Sequence, residues 1–316
     1  MRLVIAVALV LAVVSREGAV VASGARTGRS DDPAADSFVV GALRRDGIVI
    51  PFAVFDGKRW SSRWPAPQRD LSIPINVPSV PSRWWGPPGP RDRWQVWTGG
   101  EPMTVEVRQP DQVDVHCTSQ IGLRTDYISA EPPPPWTVQP YPKDGVAVSP
   151  PQPIDRIDIL EPQALELLAL RSVLKTAFDR AERETSHGDR SVKRQLRESQ
   201  DPEIEAAYAY GSSPRVYYIE SSRTYRTLGG VRCLIAFGTG WFARAGDTFK
   251  RLTMTVDVLG CDKYGADYMY PFGVIKAAGK TYWLAQFSGW DDERFVVIEI
   301  TPGGVEAVVS AWGGGC

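Results

Sequence analysis

The distribution of proline constrains the fold of this chain more than any other feature of its sequence. Of the 26 prolines in 316 residues, 20 fall between Pro51 and Pro153, together with seven of the 11 tryptophans. Proline is excluded from helix interiors and from central strands of a sheet. The first half of the chain is therefore predicted to form short strands joined by irregular, proline-stiffened loops.

Turn residues and alternating patterns locate the strands. Asp46-Gly47 lies between two runs rich in β-branched and aromatic residues, which predicts a hairpin. In the first half, further strands are predicted at 94–97, 103–107 and 113–123. In the second half they are predicted at 216–219, 231–237, 252–258, 274–276, 281–286, 295–300 and 305–312. Many short strands at this spacing indicate an antiparallel sandwich or a small barrel.

Helical periodicity appears only in the middle of the chain. Within residues 162–185, apolar side chains recur at three- and four-residue spacing: Leu167, Leu170, Leu174, Phe178 and Ala181. Leu165 and Leu168 widen this stripe, so we expect a long amphipathic helix that packs on protein. Asp201-Pro202 has the chemistry of an N-cap and first turn, which predicts a shorter helix through Ile204, Ala207 and Tyr208.

These patterns predict a mainly β (α+β) protein with two antiparallel strand-rich domains. We place the domains at residues 38–150 and 212–316, joined by a helical segment at 151–211 that holds both helices. The chain length allows about two domains of ordinary size.

The first residues have the composition of a secretory signal peptide. Arg2 precedes an unbroken apolar run at 3–14, and the small residues at 22–25 suit a cleavage site. The run is shorter than the ~20 residues that span a bilayer, although an uncleaved anchor is the alternative. We expect a signal peptide at 1–25, a mature N-terminus near Ala25 or Arg26, a flexible lead-in at 26–37, and no transmembrane anchoring of the mature chain.

If the chain is exported, its four cysteines are expected to form disulfides, because disulfides persist in oxidising compartments. Three pairings are possible for Cys117, Cys233, Cys261 and Cys316. A hairpin between the strands near Cys233 and Cys261 would bring these two within bridging distance. We predict a Cys233–Cys261 disulfide worth about 3–4 kcal/mol by loop entropy, and leave Cys117 and Cys316 open.

Composition excludes several classes of function. The formal net charge is -1, from 36 basic and 37 acidic side chains, which gives no reason to expect a nucleic-acid partner. Only two histidines are present, so a multi-histidine metal site is not expected. Nucleotide-binding, zinc-protease and serine-hydrolase motifs are absent from the sequence, and we expect neither a cofactor nor assigned catalytic residues.

The charged and nucleophilic residues offer few chemical candidates. Glu220 and the triplet at 291–293 could supply paired carboxylates for glycan hydrolysis, but a triplet of this kind is more typical of a solvated turn. His116 and Cys117 are neighbours on a predicted strand and would point to opposite faces, so they do not form a catalytic pair. The basic residues at 190–197 are typical of a solvated helix face.

The tryptophans are the most suggestive residues. Within the proline-rich region, we predict that four of them form a ligand-binding platform: Trp84, Trp85, Trp94 and Trp97. Exposed aromatic faces suit sugar rings or proline-rich peptides, whereas the alternative role is anchoring of the core. Trp283 and Trp290 are further candidates of the same kind.

The leading expectation is an exported, non-catalytic binding or structural protein of the cell envelope or extracellular space. Its partner would be a polysaccharide, a proline-rich polymer or an envelope protein. The alternative is a secreted glycan-acting hydrolase with paired carboxylates such as Glu220 or Asp292. A third possibility is an inhibitor or assembly subunit, which a large exposed apolar patch would indicate.

Overall fold

A computed structural model describes residues 37–62, 64, 67–68, 70, 74–79, 93–115, 117–135, 137–138, 140–185, 200–226 and 233–316. About 60% of these residues lie in β-strands, as the mainly β prediction requires. The predicted signal peptide, most of the predicted lead-in, the basic residues at 190–197, and His116, Trp84 and Trp85 lie outside the described residues.

Six strands from the first half of the chain close into an antiparallel barrel. They are β1 (Phe38–Arg44), β2 (Ile48–Phe55), β4 (Arg93–Trp97), β5 (Met103–Val115), β6 (Thr118–Thr125) and β7 (Lys143–Ser149). Their order is β1-β7-β4-β5-β6-β2, and pairing of β1 with β2 closes the barrel. The short strand β3 (Trp60–Ser61) pairs antiparallel with the end of β2. A 3-10 turn forms at Val77–Ser79.

The β1–β2 hairpin is confirmed, and its turn shows why glycine is needed there. Gly47 has φ of 80°, a left-handed conformation that costs little only for glycine, and its N–H donates to Arg44 O at 3.0 Å. The barrel interior is filled by apolar side chains from its strands, among them Val39, Leu43, Val49, Trp94, Val96 and Leu123. These side chains fill the barrel as a packed core.

The strand predicted at 113–123 is two strands joined by a tight turn. β5 ends at Val115, β6 begins at Thr118, and Val115 pairs with Thr118 across the hairpin. The Thr118 hydroxyl donates to Val115 O at 2.7 Å, which holds the turn without glycine or proline. Because the usual turn residues are missing, the alternating pattern hides the reversal.

The second half of the chain forms two five-stranded antiparallel sheets. The sheet named here the central sheet contains β8 (Ile154–Asp155), β14 (Tyr268–Ala277), β15 (Lys280–Ser288), β16 (Asp292–Thr301) and β17 (Gly304–Gly315). The sheet named the outer sheet contains β9 (Asp158–Ile159), β10 (Glu203–Tyr210), β11 (Arg215–Arg226), β12 (Cys233–Ala245) and β13 (Thr248–Gly260).

The middle strands of the central sheet, β15 and β16, are buried on both faces. Leu284 and Val297 pack with side chains of β1 and β2, whereas Trp283 and Ile298 pack against the outer sheet. This double burial explains the continuous apolar runs in β15 and β16, which carry no polar-out alternation. The two strand-rich segments share a core, and the described residues from Ser37 onwards belong to one compact unit, so the two-domain layout is not confirmed.

The long helix forms as α1 (Leu165–Thr185) and covers the far face of the outer sheet. All five predicted core positions, Leu167 through Ala181, are buried. Leu165 and Leu168 are 84% and 44% exposed, so the expected widening of the apolar stripe was wrong. The buried Arg223 of β11 ties the helix to the sheet, because its guanidinium donates to Glu182 at 2.9 Å and to Asp179 at 2.7 Å.

The predicted second helix is instead strand β10. Its side chains alternate between two faces. Ala207 and Ala209 face α1, whereas Tyr208 and Tyr210 face the central sheet. This two-residue period is that of a strand, and the small alanines allow the helix to lie close to the sheet. The prediction gave too much weight to the capping chemistry of Asp201-Pro202 and too little to the Ala-Tyr alternation.

Candidate ligand-binding cleft

Three segments that are distant in sequence surround a cleft of about 300 Å³. The loop after β13 contributes Tyr264 and Asp267, and the β15–β16 turn contributes Trp290, Asp291 and Asp292. The end of β17 contributes Trp312 and the residues up to Cys316. The cleft therefore combines three aromatic rings with three carboxyl groups.

Trp290 and Tyr264 present their rings to solvent at the cleft. They are 69% and 57% exposed, and their ring centroids lie 6.4 Å apart with the planes inclined at 51°. The Tyr264 hydroxyl donates to Asp291 Oδ2 at 2.8 Å, which fixes the ring and raises the pKa of Tyr264. A tryptophan ring is buried in most proteins, so this degree of exposure is unusual.

Asp267 and Asp292 face each other across Gly289. A Cβ atom on Gly289 would lie 3.0 Å from Asp267 Oδ1 and 2.9 Å from Asp292 Oδ1, so a larger residue would displace the carboxylates. Burial raises the pKa of Asp267, and the neighbouring charge of Asp292 adds to the effect although Arg294 opposes it through an ion pair. Asp292 itself is exposed and can accept hydrogen bonds from a ligand.

The end of the chain is fastened to the Trp290 turn. The N–H of Cys316 donates to Asp291 O at 2.7 Å, and a disulfide joins Cys316 to Cys117 in the β5–β6 turn. Gly315 has φ of 152°, and a Cβ atom there would collide with the backbone of Asp291. The glycines before Cys316 therefore allow the close approach that holds the Trp290 turn against the barrel.

Glu293, the third member of the acidic triplet, belongs to the protein interior. It is 3% exposed and accepts hydrogen bonds from Lys143 Nζ at 2.9 and 3.1 Å and from Gln286 Nε2 at 3.2 Å. Burial lowers the pKa of Lys143, while the charge of Glu293 opposes the shift. The prediction of a solvated turn was wrong for Glu293, which joins the barrel to the central sheet.

Glu220 is also an interior group. It is 1% exposed and accepts the N–H of Met269 at 2.6 Å, which connects the outer and central sheets. Burial raises the pKa of Glu220 to about 7. A carboxyl group this deeply buried does not reach a glycan in solvent, so its role is structural.

The four tryptophans predicted from the proline-rich region have different positions. Trp94 is fully buried inside the barrel and offers no surface to a ligand. Trp97 is half-buried and packs on the cluster between the barrel and the central sheet. These two rings do not share a face, because they are three positions apart on β4 and side chains alternate between the two faces of a strand. For Trp84 and Trp85, the binding role stays a prediction.

The cysteines form two disulfides. Cys233 pairs with Cys261 at a Cα–Cα distance of 5.4 Å, as predicted, and the bridge closes the open end of the β12–β13 hairpin. This bridge lies next to the loop that carries Tyr264. Cys117 pairs with Cys316 at 4.9 Å, which settles the choice left open by the sequence.

No family model, curated protein or solved structure matches this chain. Within the described residues, no helix has the length and apolarity needed to cross a bilayer. In the same residues, His, Cys, Asp and Glu nowhere gather in a group of three or more that could hold a metal ion.

Proposed function

We propose that the protein is an exported, non-catalytic binding protein of the cell envelope or extracellular space, and that it recognises a glycan in this cleft. The observation that carries the proposal is the 69% exposed ring of Trp290 beside Tyr264 and three carboxyl groups. Binding sites are concave and combine apolar walls with a few convergent polar groups, which is the composition of this cleft.

Both the apolar face and the hydroxyl groups of a sugar ring would have partners in this cleft. The C–H face of a pyranose packs on an aromatic ring, while its hydroxyls donate to acceptors at the edge. Asp291 and Asp292 supply such acceptors within the same cleft as Trp290. Hydrogen bonds to a charged oxygen are roughly twice as strong as neutral ones, which favours a polyhydroxylated ligand.

The cell-envelope or extracellular location rests on two features. The apolar run at 3–14 predicts export, and all four cysteines of the chain are paired in disulfides. Disulfides of this kind are typical of proteins that fold in an oxidising compartment.

Glycan hydrolysis is the second candidate function, and one observation favours it. Asp267 and Asp292 flank the same small space at Gly289, and burial raises the pKa of Asp267 as a general acid requires. The ion pair between Asp267 and Arg294 works against this role, because it stabilises the charged carboxylate.

Affinity electrophoresis of the mature protein through gels that contain soluble neutral polysaccharides tests the proposal. We expect retardation by at least one polymer, and about tenfold weaker retardation for Asp292→Asn, because the amide oxygen still accepts a hydrogen bond but lacks the charge that strengthens it by about 1–1.5 kcal/mol. Asp247→Asn is the matched control, because Asp247 is fully exposed in the β12–β13 turn.

Two other outcomes would overturn the proposal. If no polysaccharide retards the protein while a lysine-rich peptide binds in a manner sensitive to Asp292→Asn, the cleft is a cation site. If the protein releases reducing sugar from a bound polymer and Asp267→Asn abolishes the release, the hydrolase is the correct function.

A further inference from the structure

A second cavity of about 280 Å³ adjoins the cleft. Trp312 lines both spaces. The second cavity lies where the barrel meets the central sheet, and its walls carry the rings of Phe52, Trp64 and Phe295. Trp64 is held in place because its indole N–H donates to Ile121 O at 2.7 Å.

Gln120 of β6 places an amide group in the wall of this cavity. The residue is only 2% exposed, and its Nε2 atom has no hydrogen-bond partner in the described part of the chain. A buried amide without a partner is costly, and such groups in folded proteins usually have a reason for their presence. A ligand that accepts a hydrogen bond from this amide would supply that reason.

The chemistry of the cavity selects the ligand group. A glutamine amide carries both a donor and an acceptor, and it is therefore complementary to another amide. An acetamido group offers a carbonyl acceptor, an N–H donor and a methyl group, and the aromatic walls suit the methyl group. A sugar without this substituent would bring no methyl group to these walls and no amide to Gln120.

We propose that the Gln120 cavity binds the acetamido group of an N-acetylated amino sugar, one unit of the glycan that lies in the cleft. The inference rests on the proposed function and specifies the substrate class of that site. Trp312 would stack between the sugar in the cleft and the sugar whose acetamido group enters the cavity.

Calorimetric titration with two hexamers of the same β-1,4 linkage tests the inference, one of N-acetylglucosamine and one of glucose. We expect tighter binding of the N-acetylated hexamer, and we expect Gln120→Leu to weaken it by about 10- to 100-fold while leaving the glucose hexamer unchanged. Gln109→Leu, on an exposed position of β5, is the control and should change neither affinity.

The outcomes separate this inference from the proposed function. If both hexamers bind equally and Gln120→Leu changes neither, the acetamido inference is wrong and the glycan cleft stands. If no glycan binds, both fall. Leucine is close in size to glutamine, and Gln120→Leu removes a buried Nε2 atom that has no partner in the described residues, so the melting temperature should not fall. If this variant fails to fold, the preference of the wild-type protein between the two hexamers decides the question.

Discussion

Trp283 and Trp290 are seven residues apart on the same hairpin, and their surroundings are opposite. Trp283 is fully buried in the middle of β15, where it packs edge to face on Trp241 at 4.9 Å. Trp290 lies in the turn after β15 and is 69% exposed. The difference arises because both faces of β15 are covered at Trp283, whereas the turn directs the Trp290 ring into the open cleft beside Tyr264. On this hairpin, the tryptophan within the strand fills the core and the tryptophan in the turn faces solvent.

The same contrast holds for the acidic residues beside them. Asp292 is exposed in the cleft, while its neighbour Glu293 is buried against Lys143. Successive residues of a strand point to opposite sides, so one carboxylate meets solvent and the next meets the interior. In the proposed function, residues of the cleft and residues of the core thus alternate along one hairpin, and substitutions can test this arrangement.

The largest effect is expected for Trp283→Ala. Removing this ring leaves a cavity between two sheets, and comparable substitutions cost about 3–5 kcal/mol of unfolding free energy. Urea denaturation of the variant measures the loss. A loss below about 1 kcal/mol would mean that the central sheet is not packed on the face described here.

Lys143→Met should cost about 3 kcal/mol, because it leaves Glu293 charged and buried, with Gln286 still able to donate one hydrogen bond. The double variant Lys143→Met with Glu293→Leu provides the control. It removes both charges and should recover most of the loss in the same denaturation experiment. A double variant as unstable as the single one would contradict this account.

The carboxyl group of Glu220 predicts a pH dependence of stability. Its pKa is about 7 in the folded protein against an ordinary value of 4.5, so the folded state binds the proton more tightly. The protein should therefore lose stability as the pH rises from about 4.5 to about 7, by about 3 kcal/mol from this group.

Glu220→Gln keeps the acceptor for the Met269 N–H and removes the ionisation. The variant should be more stable than the wild type at pH 8 and nearly equal to it at pH 4.5, as measured by denaturant midpoints across that range. An identical pH profile for the two proteins would show that Glu220 does not titrate in this interval.

The fold was predictable where local chemistry and burial agree. The strands of the second half follow glycine turns and two-residue alternation, and α1 follows its apolar stripe. The Cys233–Cys261 bridge follows from a single hairpin. The prediction of a second helix failed because the capping residues indicate a helix, whereas the Ala-Tyr alternation of β10 indicates a strand. The shared core was not predictable, because a sequence does not show which element covers the second face of an apolar strand.

The candidate site was less predictable than the fold. The exposure of Trp290 could have been predicted from the sequence, because this large ring lies in a polar turn, between Gly289 and Asp291, where its own hairpin cannot bury it. The place of Tyr264 and Trp312 in the cleft could not have been predicted, because they reach it only through long-range pairing of the strands. Density of tryptophan in the proline-rich region was a poor guide, since Trp94 fills the barrel.

The affinity of Trp290→Ala for a glycan, compared with that of Leu165→Ala, tests the central claim most directly. Both residues are exposed and apolar, but Leu165 lies on α1 and does not line the cleft. We expect Trp290→Ala to bind at least about tenfold more weakly, with unfolding free energy within about 0.5 kcal/mol of the wild type, and Leu165→Ala to bind normally. Wild-type affinity in Trp290→Ala would contradict the account.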